Sequence, residues 1–335
     1  MRDHGNDDWC HIGHDERGRN PALRNKDDKN EQEDEMNVNP AIERLGFSGD
    51  DKVAILHVDD VGMCGSSLEA FADLWERKSV TCGSVMVPCP WFRATAAWSR
   101  ETPDVDLGVH ATLTCEWDGY RWGPLSTANM ASGLMDSERA FHKTSEAVAR
   151  FAVPAAAKRE LQMQIEAALE AGIAATHLDT HMGSVMHGKL YQGFVEAALE
   201  AGLAPFALRL EEPSWSTELY DAETIGVFSG LTRTLTKNQV PMLDRIVMLT
   251  LQGGEEDRAA KTMALHDKIK PGHISYLIFH PALDTPELRA ICPDWRSRVA
   301  DYEMLASGQI RDHLEKQGVK LIGCRELQDL MPKAA

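Results

Sequence analysis

From Lys52 onward, short apolar runs alternate with longer stretches of helical periodicity. The segment EAALEAGIA (166–174) recurs as EAALEAGLA (196–204). Each copy reads as the end of an amphipathic helix, closed by a glycine and followed by an apolar strand. A spacing of about thirty residues corresponds to one strand–helix unit, so the strands are expected to lie parallel. The runs that predict buried strands are VAILHV, SVTCGSVMV, VDLGVHATL, ATHLDT, FALRL, ISYLIFH and VKLIG.

This alternation predicts an α/β fold, either a closed or nearly closed (β/α) barrel or a doubly wound open sheet. A nucleotide-binding sheet carries a G-x-G-x-x-G or Walker loop after its first strand. The first strand here is followed instead by DDVGMCGSS (59–67). The sequence therefore favours the barrel, as a single domain over residues 49–331.

Residues 1–48 differ in composition from the rest of the chain. They are dense in charged and amide side chains, as in RNKDDKNEQEDEMN, and nearly lack Ile, Val and Phe. Such a segment buries too little apolar surface to offset the entropy lost on ordering, so it is predicted to be a disordered extension.

The charge of the whole chain limits its partners. The 335 residues carry a formal net charge of −17, which disfavours nucleic-acid backbones and anionic membranes. The apolar runs are too short for a membrane span, and the first twenty residues contain no apolar signal region. The seven scattered cysteines include no CxxC pair. A cytoplasmic protein with free thiols is the expectation.

Acidic and imidazole side chains stand at the ends of four predicted strands. In a parallel barrel these ends meet at one rim, where active sites form. Four strands that each bring Asp or His to this rim predict a common site. The residues are Asp59 and Asp60, His110, the set His177, Asp179 and His181, and His280.

One Asp and two His form a three-ligand set that leaves positions open on a catalytic metal. The second Asp of the pair could then take a proton from a water. Capping of the next helix, near Ser66, explains one Asp poorly and two hardly at all. On a strand, His177, Asp179 and His181 point the same way, so Asp179 could hydrogen-bond a ligating histidine.

The ordered motifs DDVG, GVHATLT, THLDTH and FHPA resemble those of the YdjC/ChbG-like carbohydrate deacetylases, from about Val53 to about Leu327. The tail PDWRSRVADYEML…GVKLIGCREL is similar as well. The resemblance implies a distorted (β/α) barrel, like that of polysaccharide deacetylases, and a hydrolase that removes N-acetyl groups from amino sugars. It implies Asp60, His110 and His181 as metal ligands, Asp59 as general base and His280 as general acid.

The chain departs from the family pattern at several positions. His57 and Val61 stand where the family often has Asn and Phe, and Gly183 and Val185 replace two later histidines. These changes are expected to alter the substrate side of the site. The ligand types suit Zn²⁺, whereas the family is described with Mg²⁺, so both ions remain candidates.

Further side chains are predicted around these residues. Arg298 could orient Asp59, and Asp301 or Glu303 could raise the pKa of His280. An aromatic loop after GVHATLT could stack on sugar rings, although packing of the loop against the barrel is equally open. Its aromatic residues are Trp117, Tyr120 and Trp122.

The predicted partner is a small acetylated sugar or glycolipid, and the sequence does not fix the oligomeric state, with a homodimer as one option. Two alternatives stay open: another metal-dependent barrel amidohydrolase, and a non-catalytic glycan-binding barrel. An amidohydrolase usually shows HxH at the end of its first strand, where this chain has HVDD. A binding barrel would keep its function after Asp59→Asn.

Overall fold

The computed structural model describes residues 38–209, 220–253 and 256–332. Within these ranges, eight parallel strands form one sheet. The first strand lies near its centre and is buried along its whole length, as its apolar sequence predicts. The strands are β1 Val53–Val61, β2 Cys82–Val85, β3 Leu107–Ala111, β4 His177–Thr180, β5 Ala204–Pro205, β6 Arg245–Val247, β7 Ile274–Phe279 and β8 Lys320–Ile322.

The sheet curls into a distorted barrel. Its strand order is β5-β4-β3-β2-β1-β7-β6, and β8 pairs with the first residues of β1. The two edges approach each other after β5 and before β6. There the backbone N–H of Leu243 donates to Ala207 at 2.8 Å, and that of Arg209 donates to Leu243 at 2.7 Å. This short bridge brings the sheet close to closure, which confirms the predicted barrel over the open sheet.

Helices follow most strands and pack on the sheet and on one another. The two repeated segments contain the ends of the helices Pro154–Glu170 and Gly188–Glu200, and Gly172 and Gly202 adopt positive φ angles of 87° and 69°. The predicted glycine caps are thereby confirmed. The helices are α1 Pro40–Arg44, α2 Gly65–Glu76, α3 Phe92–Glu101, α4 Ser145–Phe151, α5 Pro154–Glu170, α6 Gly188–Glu200, α7 Ala222–Lys237, α8 Arg258–His266, α9 Pro286–Ile291, α10 Trp295–Ala306, α11 Gln309–Lys316 and α12 Cys324–Asp329.

The first helix lies within the stretch 1–48 that its composition assigned to a disordered extension. Asn39 caps α1 and also donates to the Met242 carbonyl at 2.8 Å and to Asp244 at 2.7 Å. Ile42 is fully buried in the core. Residues 38–48 thus contact the barrel through the Asn39 amide and through several apolar side chains, which a composition average over 48 residues does not detect. Residues 1–37 lie outside the described ranges.

Among the helices of the described ranges, none has both the length and the apolar character that a membrane crossing requires.

Candidate metal and catalytic site

The adjacent carboxylates Asp59 and Asp60 end β1 at an irregularity of the sheet. Consecutive residues of a regular strand point to opposite faces. Here the register with β2 shifts between Val58 and Val61, and Asp60 has a φ of +61°, in the left-handed region that few non-glycine residues other than Asp and Asn adopt. Bulges of this kind re-aim side chains next to active sites. Neither Asp caps the next helix, because the N-cap of α2 is Cys64.

Three of the predicted strand-end residues converge on one point. Asp60 Oδ1 lies 3.3 Å from His110 Nε2 and 3.0 Å from His181 Nδ1. All three side chains are almost completely buried. Among the described residues, neither Asp60 Oδ1 nor His110 Nε2 has a hydrogen-bond partner. Buried polar atoms without partners are rare, so these facing atoms indicate a ligand between them.

Two carboxylates fix which ring nitrogens face that point. Asp179 Oδ1 lies 2.9 Å from His110 Nδ1, and Glu116 Oε2 lies 3.1 Å from His181 Nε2. An ionised carboxylate only accepts, so each of these nitrogens carries the hydrogen. His110 Nε2 and His181 Nδ1 are therefore the nitrogens that face Asp60 and could bind a cation. The predicted contact between Asp179 and a candidate ligand histidine is present, and this arrangement is typical of metal-bound imidazoles.

The electrostatics of the three residues also fit a cation. Burial lowers the pKa of His181, but Glu116 and Asp60 outweigh burial and raise it to about 9. The pKa of His110 is raised as well, since Asp179 and Asp59 outweigh its burial. Surplus negative charge thus draws protons to both rings, and a divalent ion would meet the same need. The residues present fit a metal ion.

A second group of donor atoms, from His57, His177 and Asp179, lies deeper in the barrel. There the two Nε2 atoms are 2.9 Å apart, at hydrogen-bond distance, and Asp179 Oδ2 accepts a hydrogen bond from Ser84 at 2.8 Å. None of these side chains has an unpartnered buried atom. The polar atoms of this group are therefore satisfied by hydrogen bonds. The group lacks the unpartnered buried atoms that Asp60 and His110 show.

Arg298 lies on α10 and pairs with Asp60. The prediction that it orients Asp59 is therefore wrong. Its Nη1 donates to Asp60 Oδ2 at 2.7 Å. Burial alone would raise the pKa of Asp60, but His181 and Arg298 hold it well below its usual value. Because the bulge turns Asp60 toward the side where α10 lies, the guanidinium meets the second carboxylate of the pair.

Asp59 faces two other histidines. Its Oδ1 lies 2.7 Å from His57 Nδ1, and its Oδ2 lies 3.6 Å from His280 Nε2. The pKa of His280 is lowered, because burial outweighs the nearby carboxylates. The predicted rise of this pKa is therefore wrong. Asp301 is already paired with Arg258 at 2.5 Å, and Glu303 is exposed.

The aromatic loop is folded inward. Trp117 and Trp122 are only 7% and 4% exposed, and the Trp122 indole donates to the Thr114 carbonyl at 2.8 Å. The Tyr120 hydroxyl donates to the Met63 carbonyl at 2.7 Å. The three rings pack on one another within 6.5 Å and hold the loop against the barrel, and of the three only Tyr120 is partly exposed.

This chain is similar to proteins of a known family. A family model described as YdjC-like protein matches residues 53–316. The chain belongs to the YdjC-like family.

The YdjC-like relatives include a carbohydrate deacetylase of Thermus thermophilus, 34% identical over 81% of this chain and 92% of the relative. A carbohydrate deacetylase of Listeria monocytogenes is 22% identical over 82% of this chain and 99% of the relative. A crystal structure from Enterococcus faecalis, of a protein named for cellobiose-phosphate cleavage, superposes with a TM-score of 0.67. It is 20% identical and covers 83% of this chain and 99% of that one, so it supports the fold.

Glu116 was not predicted from the sequence, and His57 was expected only to alter the substrate side of the site. The structure instead places the fully buried ring of His57 against Asp59, at 2.7 Å. His57 lies two positions before Asp59 on the same strand, so the period of two could have indicated that both side chains face the barrel interior. Glu116 follows β3 in an irregular loop, where no periodicity relates it to His181. Only the folded chain brings that carboxylate to the ring.

Proposed function

We propose that this protein is a metal-dependent deacetylase that hydrolyses the N-acetyl group of an amino sugar or a related glycolipid. The observation that carries the proposal is the division of the two adjacent carboxylates. Asp60 faces His110 Nε2 and His181 Nδ1, the two ring nitrogens that could bind a cation, whereas Asp59 faces His280. One carboxylate thus belongs to a cation site, and its neighbour is free to handle a proton.

Asp60, His110 and His181 would hold a divalent cation, which would polarise the acetamide carbonyl and lower the pKa of a water. Two imidazoles and one carboxylate suit Zn²⁺ or another first-row ion better than Mg²⁺, which prefers oxygen ligands. Arg298 holds the second oxygen of Asp60, so that only Oδ1 points into the site.

Asp59 is the proposed general base. Its Oδ1 is occupied by His57, so Oδ2 is the oxygen that takes the proton from the attacking water. His280 Nε2 lies 3.6 Å from that oxygen and is the group that protonates the departing nitrogen. Because burial lowers the pKa of His280, the ring is neutral near pH 7. The proton that it delivers then comes from Asp59 within the same turnover.

The test combines metal content and acetate release. Bound metal per chain would be measured by mass spectrometry for the wild type, Asp60→Ala and Asp59→Asn. Acetate release would be measured for the same proteins on N-acetylglucosamine and on its β-1,4-linked dimer to pentamer. We expect about one metal ion in the wild type, loss of metal in Asp60→Ala, and retained metal with at least about 100-fold lower turnover in Asp59→Asn.

Other results would point elsewhere. A wild type that stays metal-free after incubation with Zn²⁺, Mn²⁺ or Mg²⁺ would contradict the metal site. Unchanged turnover in Asp59→Asn would contradict its role as base. Metal binding without acetate release from any acetylated sugar, but with hydrolysis of simple amides, would favour another amidohydrolase.

A further inference from the structure

Behind the proposed base lies a continuous chain of hydrogen bonds, which we call the imidazole chain. It connects Asp59, His57, His177, Thr176 and Asp106. The distances are 2.7 Å from Asp59 Oδ1 to His57 Nδ1 and 2.9 Å between the two Nε2 atoms. His177 Nδ1 lies 2.9 Å from Thr176 Oγ1, which lies 2.6 Å from Asp106 Oδ1. All five side chains are buried, the most exposed being Asp59 at 7%.

The imidazole chain contains more hydrogen bonds than its neutral members can supply. Each of its four bonds requires one hydrogen. Asp106 Oδ2 also accepts the backbone N–H of Arg325 at 2.8 Å, at the first turn of α12, so both oxygens of Asp106 act as acceptors. Thr176 provides one hydrogen, and two neutral imidazoles provide two. With a carboxylate at both ends, the fourth bond requires one additional proton.

The surroundings of His177 favour that proton, and a carboxylate and an aromatic ring lie against His57. Asp179 Oδ2 lies 3.6 Å from His57 Nε2, and the ring of Tyr276 stacks on His57 at 4.6 Å between centroids. Burial lowers the pKa of His177, but Cys324 and Asp179 outweigh burial and raise it to about 9. Asp179 and Cys324 thus favour a proton on His177.

We propose that His57 and His177 share one additional proton as an imidazole–imidazolium pair, and that His57 is thereby the positioning residue of Asp59. A charged donor on Oδ1 at 2.7 Å fixes the rotamer of Asp59. Its Oδ2 is then the oxygen directed toward His280 Nε2 and His110 Nε2, at 3.6 and 3.7 Å. This inference rests on the proposed role of Asp59 as base.

The pair itself is tested by ¹⁵N NMR of the histidine rings in metal-loaded wild type. His57→Asn and His177→Asn identify the two rings by the signals that disappear. We expect three protons on the four ring nitrogens of His57 and His177. Two protons on these four nitrogens would overturn the proposal, and this readout does not depend on any substrate.

The positioning role is tested with two variants that each keep one half of the His57 contacts. Asn can donate from the position of Nδ1 to Asp59 but does not reach His177, whereas Gln can reach His177 but loses the contact with Asp59. We expect kcat to fall about 10-fold in His57→Asn and about 100-fold in His57→Gln, with KM and metal content within about twofold of the wild type. His266→Asn, which removes a buried imidazole on α8, is the control and should stay within twofold.

The outcomes separate this inference from the proposed function. Turnover within twofold of the wild type in both His57 variants would overturn the positioning role. A fall in metal content that accounts for the fall in turnover would also overturn it, because His57 would then act on the cation site. If the wild type deacetylates no substrate, the proposed function fails, while the ring protonation still decides whether the pair exists.

Discussion

The buried ion pair between Asp60 and Arg298 should make a large and measurable contribution to stability. The two side chains are 2% and 3% exposed, and Arg298 Nη1 lies 2.7 Å from Asp60 Oδ2. Arg298→Met keeps much of the apolar stem but leaves Asp60 charged, buried and without its donor. Breaking a buried pair in this way costs about 3–5 kcal/mol. The second partner of Arg298, Asp294, is 18% exposed and adds about 0–1 kcal/mol.

The assay is a urea denaturation series at pH 7 in the presence of a chelator, for the wild type, Arg298→Met, Asp60→Asn and the double variant. The low pKa of Asp60 in the folded protein means that its stabilisation is present above the unfolded value of about 3.9 and is lost as the pH falls below it. At pH 7 the pair is therefore fully charged. The double variant removes both charges, so it should be more stable than Arg298→Met.

These four proteins form a double-mutant cycle, which isolates the interaction energy between Asp60 and Arg298. We expect the two single costs to exceed the cost of the double variant by about 2–3 kcal/mol. Additive costs, or a loss of less than about 1 kcal/mol in Arg298→Met, would refute the reasoning, since Asp60 would then be compensated by other groups.

Three further outcomes follow from the site and from one histidine outside it. Glu116→Gln should weaken metal binding about 10- to 100-fold in a chelator competition, because the amide orients His181 less well; unchanged affinity would argue against that contact. The pKa of about 9 for His181 without metal predicts proton release on metal binding at pH 7, seen by calorimetry in buffers of different ionisation enthalpy. Burial lowers the pKa of His266 to about 4, so about 3 kcal/mol of stability, present above pH 6.5, should be lost as the pH falls to 4, and His266→Asn should flatten that dependence in acid denaturation.

Much of the barrel and the convergence of its acidic and imidazole residues could be predicted from the sequence. Strand ends in a parallel sheet meet by topology, so Asp60, His110 and His181 could be assigned to one rim without knowledge of any distance. The short strands β5 and β6 could not be assigned well, because two or three residues carry too little periodicity.

Contacts that depend on an irregular backbone conformation could not be predicted from the sequence. Arg298 lies 238 positions after Asp60 in the chain. It contacts the Asp60 carboxylate because the left-handed φ of Asp60 turns that side chain toward the arginine. A regular strand would have offered Asp59 to one side and Asp60 to the other, which is why the arginine was assigned to the wrong member of the pair. Burial of the aromatic loop was equally open, since Trp and Tyr suit both a packed interior and a sugar face.

The same irregular backbone conformation explains why the chain tolerates two adjacent carboxylates in its interior. Each carboxylate has its own set of partners: Arg298 and His181 for Asp60, and His57 for Asp59. If both carboxylates bound one cation, neither would keep an oxygen free to accept a proton, and the base would be lost. By separating their partners, the bulge leaves Asp59 Oδ2 as a free acceptor for a water near the proposed cation site.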